Sequence, residues 1–500
     1  MSRVAVNIVA NFVGRGGAVL LTLALIPLYV KWMGIEAYGL ISIYTTVQAL
    51  VSLFDLGFSA VVAREAAKTA LMMDHRDNGL AYLFRTIELV IWFLSVSLIV
   101  VGIFVLPHTT ANWIEAKTLD SQVISQSLTL ITCTAATRLP INLYTGLLIG
   151  LQKQVSANFI LFFGNLIRGL GSIFVLLVFE KSILAFFSWQ FICSLIELTC
   201  AMFIAWSTQG VQFFTARFEL SRLYANWKFA TGVVTVTLTA AAIAQLDKLI
   251  LSKLLSLELF GYYALGATIA YGLFNLVYPV CVAASPRFTS LLDRCEFDQL
   301  SATYHLLAQL CTILAMPVAI ILMFYGTEIL TLYLGNYEQA LKVEPFLTLV
   351  TLGTSVAILS PLPHTLQIAS GWTRLISICN IVFALLYTST LLFVTQMQGV
   401  EITIKIWIVL NCVYLIILAS FMHRRLLIGE FWQWMSRDIC TPVALGLAAA
   451  YLTNETLKDL VLHPLLRISL CYAVVLVVIT SSCLRVRRVI FDRVTIFFRQ

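Results

Sequence analysis

Long apolar runs recur along the whole chain, and they constrain its fold more than any other feature. A helix needs about 20 predominantly apolar residues to cross the hydrocarbon core of a bilayer. Charged residues make up only 11% of the chain, whereas a soluble domain carries about 25%. The runs predict fourteen membrane-spanning helices, numbered here one to fourteen, over residues 9–30, 39–60, 85–106, 123–149, 157–179, 183–206, 230–252, 261–284, 305–325, 343–366, 375–395, 403–421, 438–453 and 465–484.

The basic residues give these spans a direction, because cytoplasmic loops of membrane proteins are enriched in Lys and Arg. With the N-terminus inside, twenty basic residues fall in cytoplasmic segments and only six fall in outside loops. This asymmetry predicts a multi-pass protein with both termini in the cytoplasm. The formal charge of +7 is spread singly between apolar runs, so we predict membrane lipids and no nucleic acid as partners.

The sequence resembles itself at a fixed interval, which we call the repeat interval and define as the separation of Asn158 from Asn380. Both asparagines lie just inside a predicted span, and Tyr38-Gly39 and Phe260-Gly261 are separated by the same interval. Halves with six spans each run in the same direction, a geometry used for alternating access. We predict an all-α polytopic membrane protein with two parallel-repeat six-helix lobes around a central cavity, plus two C-terminal helices. The predicted lobes are residues 1–206 and 230–421, joined by an amphipathic cytoplasmic linker at 207–229 and followed by two extra spans and a basic tail at 422–500.

The residues offer little for catalysis or for a cofactor. Eleven cysteines and six histidines are dispersed without a C-x-x-C pair, so we predict neither a disulfide framework nor a metal site. No glycine-rich phosphate-binding loop is present, which argues against an ATP site. The acid pairs in outside loops, Glu115 with Asp120 and Glu338 with Glu344, lie in short loops. We therefore expect a protein that is not an enzyme and that has no cofactor.

Several short motifs together indicate a family. They are Pro27-Leu28-Tyr29, residues 34–40 (GIEAYGL), residues 54–58 (FDLGF) with Arg64-Glu65, residues 245–252 (QLDKLILS) with residues 260–263 (FGYY), and residues 371–374 (GWTR). In order and spacing they resemble the polysaccharide (Wzx-type) flippases of the multidrug/oligosaccharidyl-lipid/polysaccharide exporter superfamily. The resemblance implies two six-helix lobes and outward transport of undecaprenyl-pyrophosphate-linked oligosaccharide across the bacterial inner membrane, for O-antigen, capsule or exopolysaccharide synthesis. It also implies other membrane proteins of polysaccharide assembly as partners.

Three alternatives remain at this point. Two terminal helices beyond twelve are a feature of the lipid II flippase branch of the same superfamily. A multidrug cation antiporter of the same fold is a second alternative, although its cavity should be acidic or aromatic rather than rich in arginine. A membrane enzyme of polysaccharide assembly is the third, and it would need a larger outside loop.

Basic residues inside the predicted spans are the candidates for substrate binding. A mid-span arginine costs about 2.5–3.5 kcal/mol on insertion scales, so it normally faces water or a partner. Arg15, Arg138 and Arg168 belong to the first lobe, and a guanidinium group binds phosphate oxygens in a bidentate manner. We predict that they form a pyrophosphate pocket with Lys248. The alternatives are that each arginine pairs with an acid, and that Lys248, near the outer end of span seven, caps the helix or contacts the interface.

Acidic residues inside the spans are few. Glu197 lies near the middle of span six, Asp55 near the inner end of span two, and Asp247 near the outer end of span seven. Each is a candidate either for binding a coupling proton or cation or for pairing with a basic residue, for example Asp55 with Arg15. Export of a doubly negative head group is favoured by a membrane potential that is negative inside, so a coupling acid is not required.

Overall fold

The structure, a computed structural model, describes residues 21–71, 79–105, 113–208, 216–219, 221, 245–458, 460 and 462–487. None of these described residues lies in a strand. Within these ranges, ten helices are long and apolar enough to cross a membrane, and the shorter apolar helix Leu21–Met33 precedes them. The prediction of an all-α polytopic membrane protein is confirmed.

The chain divides into two compact units, Met1–Gly261 and Tyr262–Gln500. A helix over residues 245–254 is the described part of span seven in the first unit. The other helices of the first unit are Leu21–Met33, Ile35–Val51 with a 3₁₀ turn at Ser52–Asp55, Phe58–Leu71, Gly79–Phe104, Ser121–Ala136, Arg138–Gly150, Gln154–Val178 and Ile183–Ser207.

The helix Leu257–Tyr271 begins in the first unit and ends in the second. The remaining helices of the second unit are Phe274–Asp293, Phe297–Phe324, Gly326–Leu334, Tyr337–Ala357, Pro361–Ala369, Arg374–Ser389, Thr395–Gln398, Val400–Leu426, Phe431–Gln433, Thr441–Lys458 and Pro464–Ser482, with π-helical segments at Thr390–Val394 and Trp434–Cys440.

Each predicted span is helical over most of its described residues. Span thirteen is longer than predicted, because the π-helical segment continues directly into Thr441–Lys458. Residues 9–20 of span one and 230–244 of span seven lie outside the described residues. So do most of the predicted linker and the tail from residue 488 onward. The predicted domain boundaries stay a prediction.

Span four is broken at Thr137, and the reason is Pro140. Proline has no backbone N–H, so Pro140 cannot donate to the carbonyl of Ala136 four residues earlier. The Ser95 hydroxyl donates to that carbonyl instead, at 2.9 Å. The compensation keeps the break inside an apolar environment, where an unpaired carbonyl would be costly.

Span ten is broken in the same register. The helix Tyr337–Ala357 ends before Pro361, and the next helix, Pro361–Ala369, begins there. The repeat interval also separates Thr137 from Leu359, which lies within this break. The breaks of spans four and ten therefore follow the spacing of the sequence repeat.

The loop between spans three and four is held by acids from both copies of the repeat. The buried Glu36 carboxylate accepts backbone N–H bonds from Lys117, Thr118 and Leu119 at 2.8–3.1 Å. Glu258, one repeat interval after Glu36, accepts a hydrogen bond from the Lys117 ammonium group at 3.1 Å. Two helix N-terminal regions thus fix one loop.

In the second unit, spans thirteen and fourteen belong to the hydrophobic core. Cys471, Val475 and Ile479 of span fourteen are fully buried in the same cluster as Ala315 and Met316 of span nine. The terminal pair is therefore an integral part of this unit and not a loosely attached appendix.

Candidate functional site

Three of the predicted site residues meet in the first unit. Arg138 donates from Nη1 to Glu197 Oε1 at 3.1 Å. Arg168 forms an ion pair with the other carboxylate oxygen, Oε2. The three side chains come from spans four, five and six, and Glu197 is only 4% exposed. The structure thus brings Arg138, Arg168 and Glu197 together as one arginine cluster.

The local sequence explains how each member is placed. Arg138 is the first residue after the break of span four, so its backbone position is set by Pro140. Glu197 lies directly over Gly164 of span five. A Cβ atom at Gly164 would lie 2.9 Å from the Glu197 carboxyl carbon. A larger side chain at Gly164 would push the carboxylate aside, whereas glycine leaves it within reach of Arg168, one turn further along span five.

The charge of the arginine cluster is not balanced. Guanidinium groups stay charged in proteins, so two arginines sharing one carboxylate carry at least one net positive charge. The Arg168 side chain is buried, yet its Nε and Nη1 have no hydrogen-bond acceptor among the described residues. A buried donor without an acceptor is costly. The arrangement is thus suited to an anion with several oxygen acceptors.

Span two adds a polar pair that the sequence analysis missed. The Tyr44 hydroxyl lies close enough to Arg138 and Arg168 to interact electrostatically with both. Gln48, one turn later, donates to that hydroxyl at 2.7 Å. The available signal was a tyrosine and a glutamine at i and i+4 within an apolar span, since such residues share one helix face.

A groove between spans five and six reaches Glu197. Phe159, Phe163 and Ile196 are among the residues that line it, and all three are exposed on the surface of the unit. In a membrane protein such exposed apolar side chains face lipid. Glu197 of the arginine cluster therefore lines the buried side of an apolar groove.

The other predicted site residues lie elsewhere or are not described. Arg15 lies outside the described residues. Asp247, which is buried, and Lys248, which is half-buried, belong to the helix 245–254. Asp55 accepts hydrogen bonds from the backbone N–H of Ser59 at 3.2 Å and from its hydroxyl at 2.6 Å. The next helix begins at Phe58, so Asp55 accepts one of the N–H groups in the first turn that have no partner within the helix.

A second ionisable cluster lies in the second unit and was also missed. The buried His305 of span nine contacts Asp438 and Glu430, which lie at and before the start of span thirteen. Glu430 is 125 positions from His305 in the sequence, and Asp438 is 133 positions from it. No local pattern indicates such a contact, although a histidine inside a long apolar run was visible. No group of three metal-ligating side chains suited to an ion is found within the described ranges.

Comparison with protein families gives one match that covers more than half of the chain. The family described as "Polysaccharide biosynthesis protein" matches residues 32–340. This region includes Arg138, Arg168 and Glu197 as well as both acids that hold the loop between spans three and four. No curated protein matches the sequence significantly.

Solved structures share the fold at low sequence identity. The lipid II flippase MurJ in an inward closed conformation has a TM-score of 0.67 and 14% identity, covering 98% of this chain and 100% of that one. An inward-facing multidrug resistance transporter of the MATE family has a TM-score of 0.59 and 14% identity, with 82% and 94% covered. A transporter of the same superfamily from Pyrococcus furiosus has a TM-score of 0.52 and 12% identity, with 85% and 95% covered.

Proposed function

The chain belongs to the polysaccharide biosynthesis protein family, and from that premise we propose that it is a flippase for a lipid-linked oligosaccharide. Its substrate is an undecaprenyl-pyrophosphate-linked glycan, which it moves from the cytoplasmic to the periplasmic leaflet of the bacterial inner membrane. The product serves O-antigen, capsule or exopolysaccharide synthesis, and the transport protein itself makes or breaks no covalent bond.

The arginine cluster is the observation that supports this proposal most strongly. It lies on mid-span residues, has an excess of positive charge, and contains a buried guanidinium group with two nitrogens that lack acceptors in the part of the chain that the structure describes. A pyrophosphate supplies several anionic oxygens for such donors, and charge-assisted hydrogen bonds are about twice as strong as neutral ones. In this mechanism the pyrophosphate displaces Glu197 from Arg138 and Arg168, while Arg15 and Lys248 are further proposed contacts.

We place both termini in the cytoplasm, because basic residues are far more frequent on that side of the predicted spans. The loop that Glu36 and Glu258 hold then faces the periplasm. Release of the contacts between this loop and the two acids would be part of alternating access. The membrane potential drives the anionic head group outward, so Asp55, Glu197 and Asp247 are proposed to have structural or pairing roles rather than to bind a coupling ion.

A second candidate substrate is lipid II. The structure of the lipid II flippase matches 98% of this chain, whereas the multidrug transporter matches 82% of it. The two terminal helices beyond twelve are in keeping with that branch of the superfamily. Lipid II is also an anionic lipid-linked sugar, so the arginine cluster suits either lipid and the glycan distinguishes them.

The test is transport of a fluorescent undecaprenyl-pyrophosphate oligosaccharide in proteoliposomes. Arg138→Ala and Arg168→Ala should each lower the rate by about 10- to 100-fold, because a charge-assisted hydrogen bond contributes about 1.5–3 kcal/mol. Arg168→Lys should fall between them and the wild type, since lysine keeps the charge without the bidentate geometry.

Arg287→Ala is the matched control. Arg287 is exposed, lies just after span eight, and donates a hydrogen bond to Gln299 of the following helix. Its rate should equal that of the wild type. Unchanged transport in both cluster variants would show that the arginines serve only to lock helices together. Faster transport of lipid II than of the oligosaccharide would favour the second candidate, and transport of an organic cation alone would refute both.

A further inference from the structure

The His305 imidazole occupies an unusual position in the second unit. It is completely buried, and each of its two ring nitrogens contacts a different carboxylate. Nδ1 contacts Asp438 Oδ2, and Nε2 contacts Glu430 Oε2. We call His305, Asp438 and Glu430 the histidine–carboxylate cluster.

Both carboxylates of this cluster are held in place by further donors. The Gln309 amide donates to Asp438 Oδ1 at 2.8 Å. The Ser301 hydroxyl lies 2.7 Å from both oxygens of Glu430. Ser301, His305 and Gln309 are spaced four residues apart and share one face of the helix that contains span nine. This helix therefore presents a continuous polar face to the two acids.

The cluster connects span nine to both terminal spans. Asp438 lies in the π-helical segment that starts span thirteen, and π-helical turns are frequent at functional sites. Gln309 Oε1 accepts the backbone N–H of Arg485 at 2.9 Å, just after the end of span fourteen. One polar network thus fastens three spans at the same end of the second unit.

Glu430 lies in the connection between spans twelve and thirteen, and the groups around it determine its protonation state. Burial raises the pKa of this carboxyl, but the hydrogen bonds from Ser301 and His305 and the positive charge of Arg485 outweigh burial and lower it. Glu430 is consequently ionised at neutral pH, and it needs a hydrogen-bond donor on the imidazole side.

The number of N–H groups on the imidazole determines whether both carboxylates of the cluster can receive a hydrogen bond. A neutral imidazole has one N–H, whereas two nitrogens face carboxylate oxygens here. With both acids ionised, one nitrogen lone pair would oppose a carboxylate in a buried site, an arrangement that is strongly unfavourable. We propose that the histidine–carboxylate cluster binds one exchangeable proton, and that this proton fastens spans thirteen and fourteen to span nine.

Other charged and titratable groups around the cluster are consistent with a single bound proton. His423, in the helix Val400–Leu426, lies close enough to interact electrostatically with His305, Glu430 and Asp438. The Tyr304 ring lies at an edge-on angle to both His305 and His423. Arg485 offsets part of the negative charge of Glu430. With the proton bound, His305 is positive between two negative groups, whereas without it the two carboxylates face each other across a neutral ring.

The direction of the pH effect follows from this arrangement. A proton that the folded state holds more tightly than the unfolded state stabilises the folded state at low pH, and its loss at higher pH removes that stabilisation. The attachment of the terminal spans should therefore weaken as the pH rises. The proposal does not depend on the substrate or on the arginine cluster, so transport data cannot decide it.

The test is hydrogen exchange of the backbone amides in residues 441–458, using the full chain in lipid nanodiscs from about pH 5.5 to about pH 9, a range that covers histidine titration. After correction for the intrinsic pH dependence of exchange, the wild-type rate should rise by about tenfold or more across this range, because local opening becomes easier. In His305→Gln the rate should be high and independent of pH.

A second variant keeps the test valid if His305→Gln does not fold. In Asp438→Asn the new amide can donate to Nδ1 while a neutral imidazole donates to Glu430, so the extra proton is no longer needed. This variant should fold and lose the pH dependence. His364→Gln is the control, because the His364 ring contacts the Tyr414 hydroxyl rather than a carboxylate. A wild-type rate that does not change with pH, or an Asp438→Asn rate that keeps the wild-type dependence, would overturn the proposal.

Discussion

The first unit carries Arg138, Arg168 and Glu197, whereas the positions one repeat interval later hold Ser360, Thr390 and Ala419. Both halves share the break in their fourth helix, at Thr137 in one and before Pro361 in the other. The backbone feature is therefore repeated, but the charges are not.

This difference shows which part of the repeat is architectural. A break caused by proline is a property of the backbone, and it persists in both halves because each half needs the same helix geometry. A buried charge is expensive in a membrane and remains only where it has a purpose. The absence of charge at the three corresponding positions of the second half indicates that the arginine cluster is not required by the fold.

The largest expected effect on stability comes from removing the acid of the arginine cluster while keeping both arginines. Glu197→Gln removes the carboxylate charge and leaves two buried arginines without a counter-charge, so it should lower the free energy of unfolding by about 3–5 kcal/mol. Thermal or denaturant unfolding of the protein in nanodiscs measures the loss.

The matched variant copies the second half into the first, with Arg138→Ser, Arg168→Thr and Glu197→Ala together. It removes all three charges, so no buried charge stays unpaired, and the smaller side chains should cost only about 1–2 kcal/mol. Transport should be lost although the protein folds. If the triple variant were less stable than Glu197→Gln, the cluster would be part of the scaffold and the comparison between the halves would fail.

A smaller effect is expected at the pair of acids that both halves retain. Glu36→Gln replaces the carboxylate that accepts three backbone N–H bonds with a neutral amide. It should lower the free energy of local opening of this loop by about 1–3 kcal/mol. Glu258→Gln removes a partly exposed ion pair with Lys117 and should lower the same free energy by about 0.2–1 kcal/mol. Hydrogen exchange of residues 113–120 measures both, and equal effects would contradict the distinction in burial.

The smallest effect is expected for Asp55→Asn. The asparagine side-chain oxygen can accept the same bonds from Ser59 at the start of the helix, so the free energy of unfolding should change by less than about 1 kcal/mol. Transport in proteoliposomes should also stay within twofold of the wild type, a change of about 0.4 kcal/mol. A tenfold loss of transport with unchanged stability would instead identify Asp55 as a coupling acid.

The sequence predicted the spans well, because the cost of exposing backbone and charge to lipid acts on each run of residues separately. It also identified Arg138, Arg168 and Glu197 as unusual, since each interrupts an apolar run. It predicted that Arg138 and Arg168 share a pocket and that Glu197 could pair with a basic residue. It did not identify which side chains contact one another, because Arg138 and Glu197 are 59 residues apart and come together only through helix packing. The contact between His305 and Asp438 spans 133 residues and was missed for the same reason.

Small residues set distances that composition does not reveal. Gly164 is one of twenty-five glycines, and only the packed structure shows that it makes room for Glu197. The hydrogen bond from the Ser95 hydroxyl to the Ala136 carbonyl, which replaces the bond lost at Pro140, likewise depends on a neighbouring span. Local patterns therefore predicted the elements, whereas the site depended on contacts between them.

The loop held by Glu36 and Glu258 also has a consequence for biogenesis. A membrane protein is inserted as it is synthesised, from the N-terminus onward. The three backbone bonds to Glu36 can form once residues 117–119 have been translated, but the bond from the Leu257 N–H to the Glu115 carbonyl, 2.7 Å long, has to await the start of span eight. Spans four to seven must all leave the ribosome in that interval. The loop between spans three and four is therefore held by Glu36 alone until the start of the helix Leu257–Tyr271, in the second copy of the repeat, has been synthesised.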